Sequence, residues 1–417
     1  MTQLNTANQT ELTKSQQVEF YRQWEQLSFG VSEITPEEEF KSMLKKSIMT
    51  GIPLRIKCGI DPTITTVHLG HSIPYRKMRQ FQDLGHTGIV VIGDYTAQIG
   101  DPSGKNETRQ SLTSEVVKNN ATTYIEQLYR VLDKSKTEIR FQSEWFSSVT
   151  LSDVIQWCME TTVAKLLSHD TFHQRLEKGF SLCLHELMYP ILQGIDSVYI
   201  KSDIELGGTD QKFNVLMGRD YQKHRKMRQQ VAILLPIITG TCGTQKMSKS
   251  LNNFIGILDT PFDQFGKVMS IPDVQMVEWS NYLTTWPIEQ IKKFQADLAS
   301  EILHPNDAKK QLASTIVSYF HGEIVGEEMR KQFEQVFAQK KAPTDVVELN
   351  IEVGAKLIDF LAKYKIIESN SEGRRLIQQG GVSWVEGEKI LEDKYLLQES
   401  DRNNILKIGK KKFIKFI

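Results

Sequence analysis

Cysteine is scarce: the 417 residues hold four, Cys58, Cys158, Cys183 and Cys242, with no C-x-x-C spacing. Neither a disulfide framework nor a structural zinc site is supported, so no protein-bound metal is expected and a reducing compartment, the cytoplasm, fits best. Long apolar runs are missing too. No stretch approaches the roughly 18 residues of a membrane helix, and the first 17 residues, rich in Thr, Gln and Asn, lack the apolar centre of a secretion signal and read as a frayed start. Nor is there an excess of charge. Fifty-one basic and 51 acidic residues cancel, so no global field announces a polyanionic partner. The balance hides an asymmetry: Gly354 to Ile417 carries 13 Lys plus Arg against 9 Asp plus Glu, a net of +4, which leaves −4 for the rest. A modestly basic end module is compatible with RNA contact, although many solvated surfaces look the same.

The length allows two or three domains, each able to bury a core. The most organised stretch is Leu54 to His71, LRIKCGIDPTITTVHLGH. Leu54, Ile56 and Cys58 form a short buried strand, and Asp61-Pro62-Thr63 breaks it. From His68 onward Leu69, Ile73, Met78 and Phe81 share a helical face that ends at Leu84-Gly85. Ile89 to Ile92 make a second strand, so the unit is strand, helix, parallel strand. Ligands of such units bind beyond the carboxyl ends of the strands, where a helix start offers free N–H groups. His68-Leu69-Gly70-His71 sits there. The glycine permits close approach, and imidazoles three residues apart point the same way, which suits a polyphosphate. Two surface histidines at a helix start would have the same spacing.

A second segment weighs against that bland alternative. Lys246-Met247-Ser248-Lys249-Ser250 follows an apolar strand, Val231 to Ile238, and a flexible Thr239 to Gly243 loop. Two lysines and two hydroxyls on such a loop can close over phosphates and neutralise a leaving group. The pair H-x-G-H and KMSKS resembles the class I aminoacyl-tRNA synthetases. Gly100-Asp101-Pro102-Ser103-Gly104, the triplet Tyr189, Gln193, Asp196 and Gly207-Gly208-Thr209-Asp210-Gln211 narrow the resemblance to the tyrosyl-tRNA synthetases over nearly the whole chain.

The resemblance implies an α/β chain: a Rossmann-like parallel-sheet catalytic domain, an α-helical domain and a small α+β RNA-binding domain. The expected boundaries are an N-terminal helical extension at 1–29, the catalytic domain with a helical insert at 30–250, an anticodon-stem domain at 251–342, a linker at 343–353 and the RNA-binding module at 354–417. It implies activation of L-tyrosine by ATP, with Mg2+ accompanying the nucleotide, and transfer to tRNA(Tyr). The catalytic set is Thr63, His68, His71, Lys246 and Lys249. ATP falls to Gly70, Lys105, Arg109, Gly208, Asp210, Gln211 and Ser248. Tyrosine falls to Gly59, Asp61, Thr96, Asp101, Tyr189, Gln193 and Asp196, and tRNA to Arg374, Arg375, Lys410, Lys411 and Lys412.

Some of this has independent support in the residues. Tyr189, Gln193 and Asp196 stand at i, i+4 and i+7, on one helical face, although Pro190 can kink its start. With Ile191, Leu192 and Ile195 beside them they can line a slot that is greasy in the middle and polar at both ends. By resemblance, Asp196 takes the phenol hydroxyl and Tyr189 and Gln193 the ammonium. Phenylalanine there would strand a buried carboxylate, and this family is itself the standard example of such discrimination.

The flanking segments are read mainly as helices: Val18 to Leu27, Pro36 to Ser47 with Pro36 at the first helical position, most of 111–187 with an insert around Leu151 to Leu167, and Asn252 to Gln339 broken at Pro261, Pro272, Pro287 and Pro305. By analogy such an insert supplies a subunit contact, so a homodimer is expected. Lys340 to Asp345 reads as a linker. The last module pairs helices at Lys356 to Tyr364 and Ser371 to Gln379 with strands at Val382 to Val385, Ile405 to Ile408 and Lys412 to Ile417.

Two departures from the commonest family pattern stand out. Lys57 occupies a position where many relatives carry a tyrosine that helps hold the phenol, and Asn252 stands where glycine is common after KMSKS-Leu251. Two alternatives stay open on sequence alone: a tryptophanyl-tRNA synthetase, and a catalytically retired synthetase that binds RNA.

Overall fold

The computed structural model describes residues 11–63, 65–103, 113–338, 346–385, 389–409 and 412–417. The first ten of the 17 residues read as a frayed start and the linker stretch Lys340 to Asp345 lie outside them, while Lys14 to Gln17 are not frayed but form the first turn of a helix capped by Thr13. The chain forms two compact units, Met1–Thr260 with Lys267–Leu312, and Pro261–Gly266 with Ala313–Ile417.

The first unit is built on six strands: β1 (Glu33–Thr35), β2 (Arg55–Ile60), β3 (Thr87–Ile92), β4 (Thr137–Phe141), β5 (Ile204–Gly208) and β6 (Val231–Leu235). Their order across the sheet is β1-β6-β5-β2-β3-β4, all parallel except β1, which runs antiparallel on β6. Helices cover a parallel sheet on both faces, so its central strands read as apolar runs and not as alternation. Ile56, Ile89, Val90, Ile204 and Ile233 are accordingly fully buried.

The chain leaves β2 toward β3 and β4 on one side and returns through β5 and β6 on the other. The order therefore reverses between β2 and β5, and this opens a crevice at their carboxyl ends. Helix Leu69–Asp83 connects β2 to β3, helix Ser114–Leu128 lies between β3 and β4, and helix Lys212–His224 joins β5 to β6. The N-terminal helix Lys14–Ser28 is fastened to this core by Lys77, whose Nζ donates to the carbonyls of Leu27 (3.1 Å) and Phe29 (2.8 Å). It thereby satisfies acceptors that a helix end leaves open.

Several expectations need correction. The run from 111 to 187 is interrupted by β4, a half-buried edge strand whose sequence TEIRF carries no apolar stretch to betray it. Pro36 precedes its helix as the capping residue, and Glu37 is the first helical residue. β6 stops at Leu235, before Pro236. Asn252 to Thr260 is not helical: the segment lies along the start of helix Leu69–Asp83, with Leu69 N–H donating to Ile255 O (2.9 Å) and Ile257 N–H to Val67 O (3.0 Å). Pro261 and Pro305 open helices, Pro261–Met269 and Pro305–His321, where a missing N–H costs nothing. The edge strand β1 was not expected.

In the second unit, β7 (Val347–Leu349), β8 (Val382–Trp384), β9 (Ile405–Ile408) and β10 (Lys412–Phe416) make a sheet in the order β7-β10-β9-β8. Helices Leu357–Lys363 and Asn370–Gln378 pack on it through Leu357, Leu361 and Ile377, against Leu406 and Phe416. The second helix begins one residue earlier than expected because the Ser369 hydroxyl, not Ser371, caps it by accepting from Glu372 N–H.

Ile233 sits at the centre of β6 with both sheet faces covered. Ile233→Ala should destabilise the first unit by about 2 to 5 kcal/mol through lost burial and the cavity left behind. A lower urea midpoint for the tryptophan fluorescence transition would report it, and an unchanged midpoint would contradict the burial described.

Candidate active site

The helix start at the crevice is shaped by its own histidines. His68 is the capping residue of helix Leu69–Asp83: its Nδ1 accepts the backbone N–H of His71 at 3.2 Å. That bond makes Nδ1 an acceptor and leaves the ring proton on Nε2, so His68 can offer a donor to an anion. The His68 and His71 rings stack with centroids 3.5 Å apart. His71 Nδ1 lies 3.2 Å from the Tyr124 hydroxyl. Burial, and then the neighbouring His71, push His68 down to about 2, and burial takes His71 down to about 4. Both rings are neutral hydrogen-bonding groups at pH 7, not cations.

Beyond the end of β2, Asp61 draws several elements together. Its Oδ1 accepts from Thr96 Oγ1 (2.7 Å) and its Oδ2 from the Tyr189 hydroxyl (2.9 Å). Gly93, just past β3, makes room for this: a Cβ there would collide with Asp61 Oδ1 and Thr96 Oγ1. Asp101 accepts from Ser103 N–H (2.9 Å) through Oδ1 and from Gln211 Nε2 (2.8 Å) through Oδ2. Gln211 in turn accepts from Asn214 Nδ2 at 3.0 Å. At the end of β5, Gly207 and Gly208 let the backbone run close to Gln211 and Asp210. Burial, and next the charge of Asp101, raise the Asp210 carboxyl, with Lys246 opposing.

Helix Leu184–Ile200 presents Tyr189, Gln193 and Asp196 to the same cleft, and Pro190 lies within the helix without ending it. Asp196 is buried, and both oxygens are engaged: Oδ2 accepts from Gln142 Nε2 (2.8 Å) and Oδ1 from Trp145 Nε1 (3.2 Å). Burial raises its carboxyl to about 7, against the lowering charge of Lys57. Gln142 also accepts the backbone N–H of Thr96 at 3.0 Å, so one amide ties the two ends of the cleft together. Gln142, Trp145 and Tyr124 were not singled out in the sequence. The available signal for Gln142 was its place just past a strand, and that strand was hidden.

The KMSKS segment closes the cleft from the other side. Thr239 bridges Lys246, Met247 N–H donates to Ile238 O (3.0 Å), and the Met247 side chain is buried with its sulfur 3.4 Å from the Gly70 amide nitrogen. Asn253 organises the loop: Oδ1 accepts from Ser248 N–H (2.8 Å) and Nδ2 donates to Lys246 O (3.1 Å). Asn252 has a φ of 49°, a left-handed conformation that glycine adopts freely and asparagine tolerates better than other side chains.

A single cleft of about 740 Å³ results. Gly59, Asp61, Thr63, His68, Gly70 and His71 line it from the first strand and helix, and Thr96, Asp101, Tyr189, Gln193 and Asp196 from the middle of the chain. Gly208, Asp210, Gln211, Lys246, Ser248 and Lys249 complete it. Lys105 and Arg109 lie outside the described residues, as do Lys410 and Lys411. Arg374, Arg375 and Lys412 are exposed in the second unit, and Lys412 Nζ donates to Ile366 O.

A strand-order reversal with an imidazole pair on one lip and a KMSKS loop on the other defines a class I aminoacyl-tRNA synthetase. Residues 49–338 match the family "tRNA synthetases class I (W and Y)", and residues 332–416 match "Tyrosine--tRNA ligase SYY-like C-terminal domain". A tyrosine--tRNA ligase of Carboxydothermus hydrogenoformans is 45% identical over 407 residues, covering 96% of this chain and 98% of its own. One from Moorella thermoacetica is 44% identical over 396 residues, covering 95% of each. The solved tyrosyl-tRNA synthetase of Archaeoglobus fulgidus, complexed with L-tyrosine, covers 75% of this chain and 99% of its own with a TM-score of 0.60 at 21% identity, a likeness of fold. The chain belongs to the tyrosine--tRNA ligases. Its reaction is the attack of the tyrosine carboxylate on the α-phosphate of ATP with loss of pyrophosphate, then transfer of the tyrosyl group to the 3'-terminal adenosine of tRNA(Tyr). The tryptophan and retired-enzyme alternatives fall with that assignment.

Gly93→Ala should push Asp61 and Thr96 apart and raise the KM for tyrosine about tenfold or more, since displacements of the order of an ångström are costly in such sites. Steady-state pyrophosphate exchange measures it. A tyrosine KM unchanged from wild type would show that the close approach at Gly93 does not matter to the cleft.

Proposed function

We propose that the cleft divides into a tyrosine slot and a nucleotide platform, with the KMSKS loop as the moving part. Asp196 accepts the phenol hydroxyl, and Tyr189, Gln193, Asp61, Thr96 and Asp101 surround the ammonium, with Gly59 as a floor. The adenosine lies against Gly70 and Gly208, Asp210 holds the ribose, and Gln211 steadies the reacting carboxylate. His68 and His71 donate to the phosphates as neutral rings, and Thr63 meets the γ-phosphate. Lys246, Ser248 and Lys249 take up the charge of the departing pyrophosphate, with Lys105 and Arg109 assigned beside them by resemblance. ATP enters as its magnesium complex. In-line phosphoryl transfer needs little side-chain proton chemistry here, so the acceleration comes from positioning and charge stabilisation.

The observation that carries this reading is the contact between the two phosphate segments. Met247 Sδ rests on the Gly70 amide at 3.4 Å, which brings both lysines of the loop to the cleft that His71 lines.

The remaining assignments follow the resemblance. Residues 251–342 meet the anticodon stem, and Arg374, Arg375 and Lys410 to Lys412 meet RNA phosphates in a salt-sensitive, sequence-tolerant way. A homodimer forms through the helical insert, a reading supported by Leu151, Met159 and Val163, which are 76%, 74% and 64% exposed. Free cysteines and the absence, among the described residues, of a helix long and apolar enough to cross a membrane are compatible with a cytoplasmic enzyme.

Lys249→Ala tests the nucleotide side. Tyrosine-dependent exchange of labelled pyrophosphate into ATP should fall about a hundredfold or more, because the lysine acts on charge that develops in the transition state. The Kd for tyrosine should stay within about twofold of wild type, and equal exchange by both proteins would contradict the assignment.

The pH dependence of tyrosine binding tests the other side. A carboxylate is the better acceptor for a phenol hydroxyl, and burial raises Asp196 to about 7. Protonation below that value weakens the acceptor, so the tyrosine KM should fall as pH rises from about 6 to 8. Asp196→Asn should raise the KM and flatten the profile, and a wild-type profile that is flat over this range would remove Asp196 from the role.

A further inference from the structure

Lys57 and Glu205 form an ion pair of 2.9 Å whose side chains are 0% and 1% exposed. They are register partners on β2 and β5, directly behind the slot, yet neither lines the cleft. Such a pair adds little to stability, since a matched uncharged pair of the same shape is often as stable. Its remaining bonds point to another role. Lys57 Nζ also donates to Gln193 O (3.0 Å) and Ser197 Oγ (2.9 Å), which flank Asp196 on its helix, and so sets a positive charge against the turn that carries the carboxylate. Glu205 Oε1 accepts from Gln193 Nε2 at 3.1 Å, and Glu205 Oε2 accepts from Ser197 Oγ at 3.0 Å and from Gln230. With its Nε2 anchored on Glu205, the Gln193 amide is held against flipping, and its carbonyl oxygen is the group that can accept from an ammonium.

We propose that the Lys57 and Glu205 pair is the positioning element of the tyrosine slot. Glu205 fixes which face of the Gln193 amide meets the substrate ammonium, and Lys57 supplies the charge that keeps Asp196 a strong acceptor for the phenol. The pair thereby governs tyrosine affinity and the rejection of phenylalanine without touching either substrate. This rests on the assignment of Gln193 and Asp196 to tyrosine. It also accounts for a lysine at this place: the phenol's acceptor is held by Gln142 and Trp145 directly and by Lys57 from behind.

The test is the full-length double variant Lys57→Met with Glu205→Gln, which removes both charges and allows a neutral amide to pair with either face of Gln193. The thermal unfolding midpoint should stay within about 5 °C of wild type, in keeping with neutral replacement of a buried pair. In pyrophosphate exchange the tyrosine KM should rise about tenfold or more and the preference for tyrosine over phenylalanine should fall by a similar factor, while the ATP KM stays within about twofold. A merely structural pair would move both KM values or neither. A folded double variant whose tyrosine KM and tyrosine-to-phenylalanine ratio lie within about twofold of wild type overturns the proposal. If the double variant does not fold, Ser197→Ala, which deletes one bond to each partner, decides instead. A tyrosine KM raised about threefold at constant ATP KM supports the role, and an unchanged one overturns it. Asp196→Asn separates the two layers. If it leaves the tyrosine KM unaltered, the slot assignment itself has failed. If it raises that KM while the pair can be removed without effect, only the role of the pair has failed.

Discussion

β2 and β5 are separated in the chain by two further strands and a helical insert, yet they lie side by side, with Ile56 against Ile204 and Lys57 against Glu205. Every group of the site hangs from that pairing. It levels the carboxyl ends of the two strands, so that Gly59 and Asp61 face Gly207 to Gln211 across the crevice left by the reversed strand order. A slip of β2 by one residue would turn Lys57 to the face opposite Glu205 and carry Asp61 away from Tyr189. The fully buried Ile56 and Ile204 beside the pair hold that register, because a shifted strand would bring apolar side chains out of their packed layer.

Carboxylates at the crevice are then made specific by how their lone pairs are committed. Asp61 accepts from Thr96 and Tyr189, Asp101 from Ser103 N–H and Gln211, and Asp196 from Gln142 and Trp145. Each donor holds its acceptor in one orientation and leaves only the remaining lone pairs for a substrate. Misplacing a donor costs twice, because a buried carboxylate that loses a partner also bears its desolvation. Gln142, which lies in no motif, contributes in this way by holding both Asp196 and Thr96.

How much of this could be read beforehand depended on whether function sat in a local pattern. His68 to His71, Lys246 to Ser250 and Gly207 to Gln211 are contiguous, each following a strand with a clear apolar signature, so their chemistry and position could be read together. Tyr189, Gln193 and Asp196 were legible because a helix turns fixed spacing into a common face. Gln142 and Trp145 were not, because β4 is short, half-buried and polar, and without the strand nothing marks the residues after it. The segment after KMSKS misled for a related reason. Asn253 and Ile255 gain their roles from partners far away in sequence, the loop backbone and the start of helix Leu69–Asp83, and no periodicity records such a partnership. Asn252 is the reverse case, a departure from pattern whose left-handed φ shows why glycine is common there.

The cleft separates its uncharged donors from its cations, and the separation has a kinetic logic. His68 is buried and His71 half-buried, and the two stacked, neutral rings are, in the proposed reading, donors that cost no reorganisation when a phosphate arrives. Lys246 and Lys249 are exposed on either side of buried Met247, and among the described residues neither is held in an ion pair. One apolar side chain thus anchors the loop on the Gly70 amide while the charges beside it stay free to move. Had the cations been built into the helix start, they would have bound ATP and the transition state alike, and uniform binding does not speed the chemical step. In the proposed reading, placing them on a loop reserves their charge for the moment at which pyrophosphate departs.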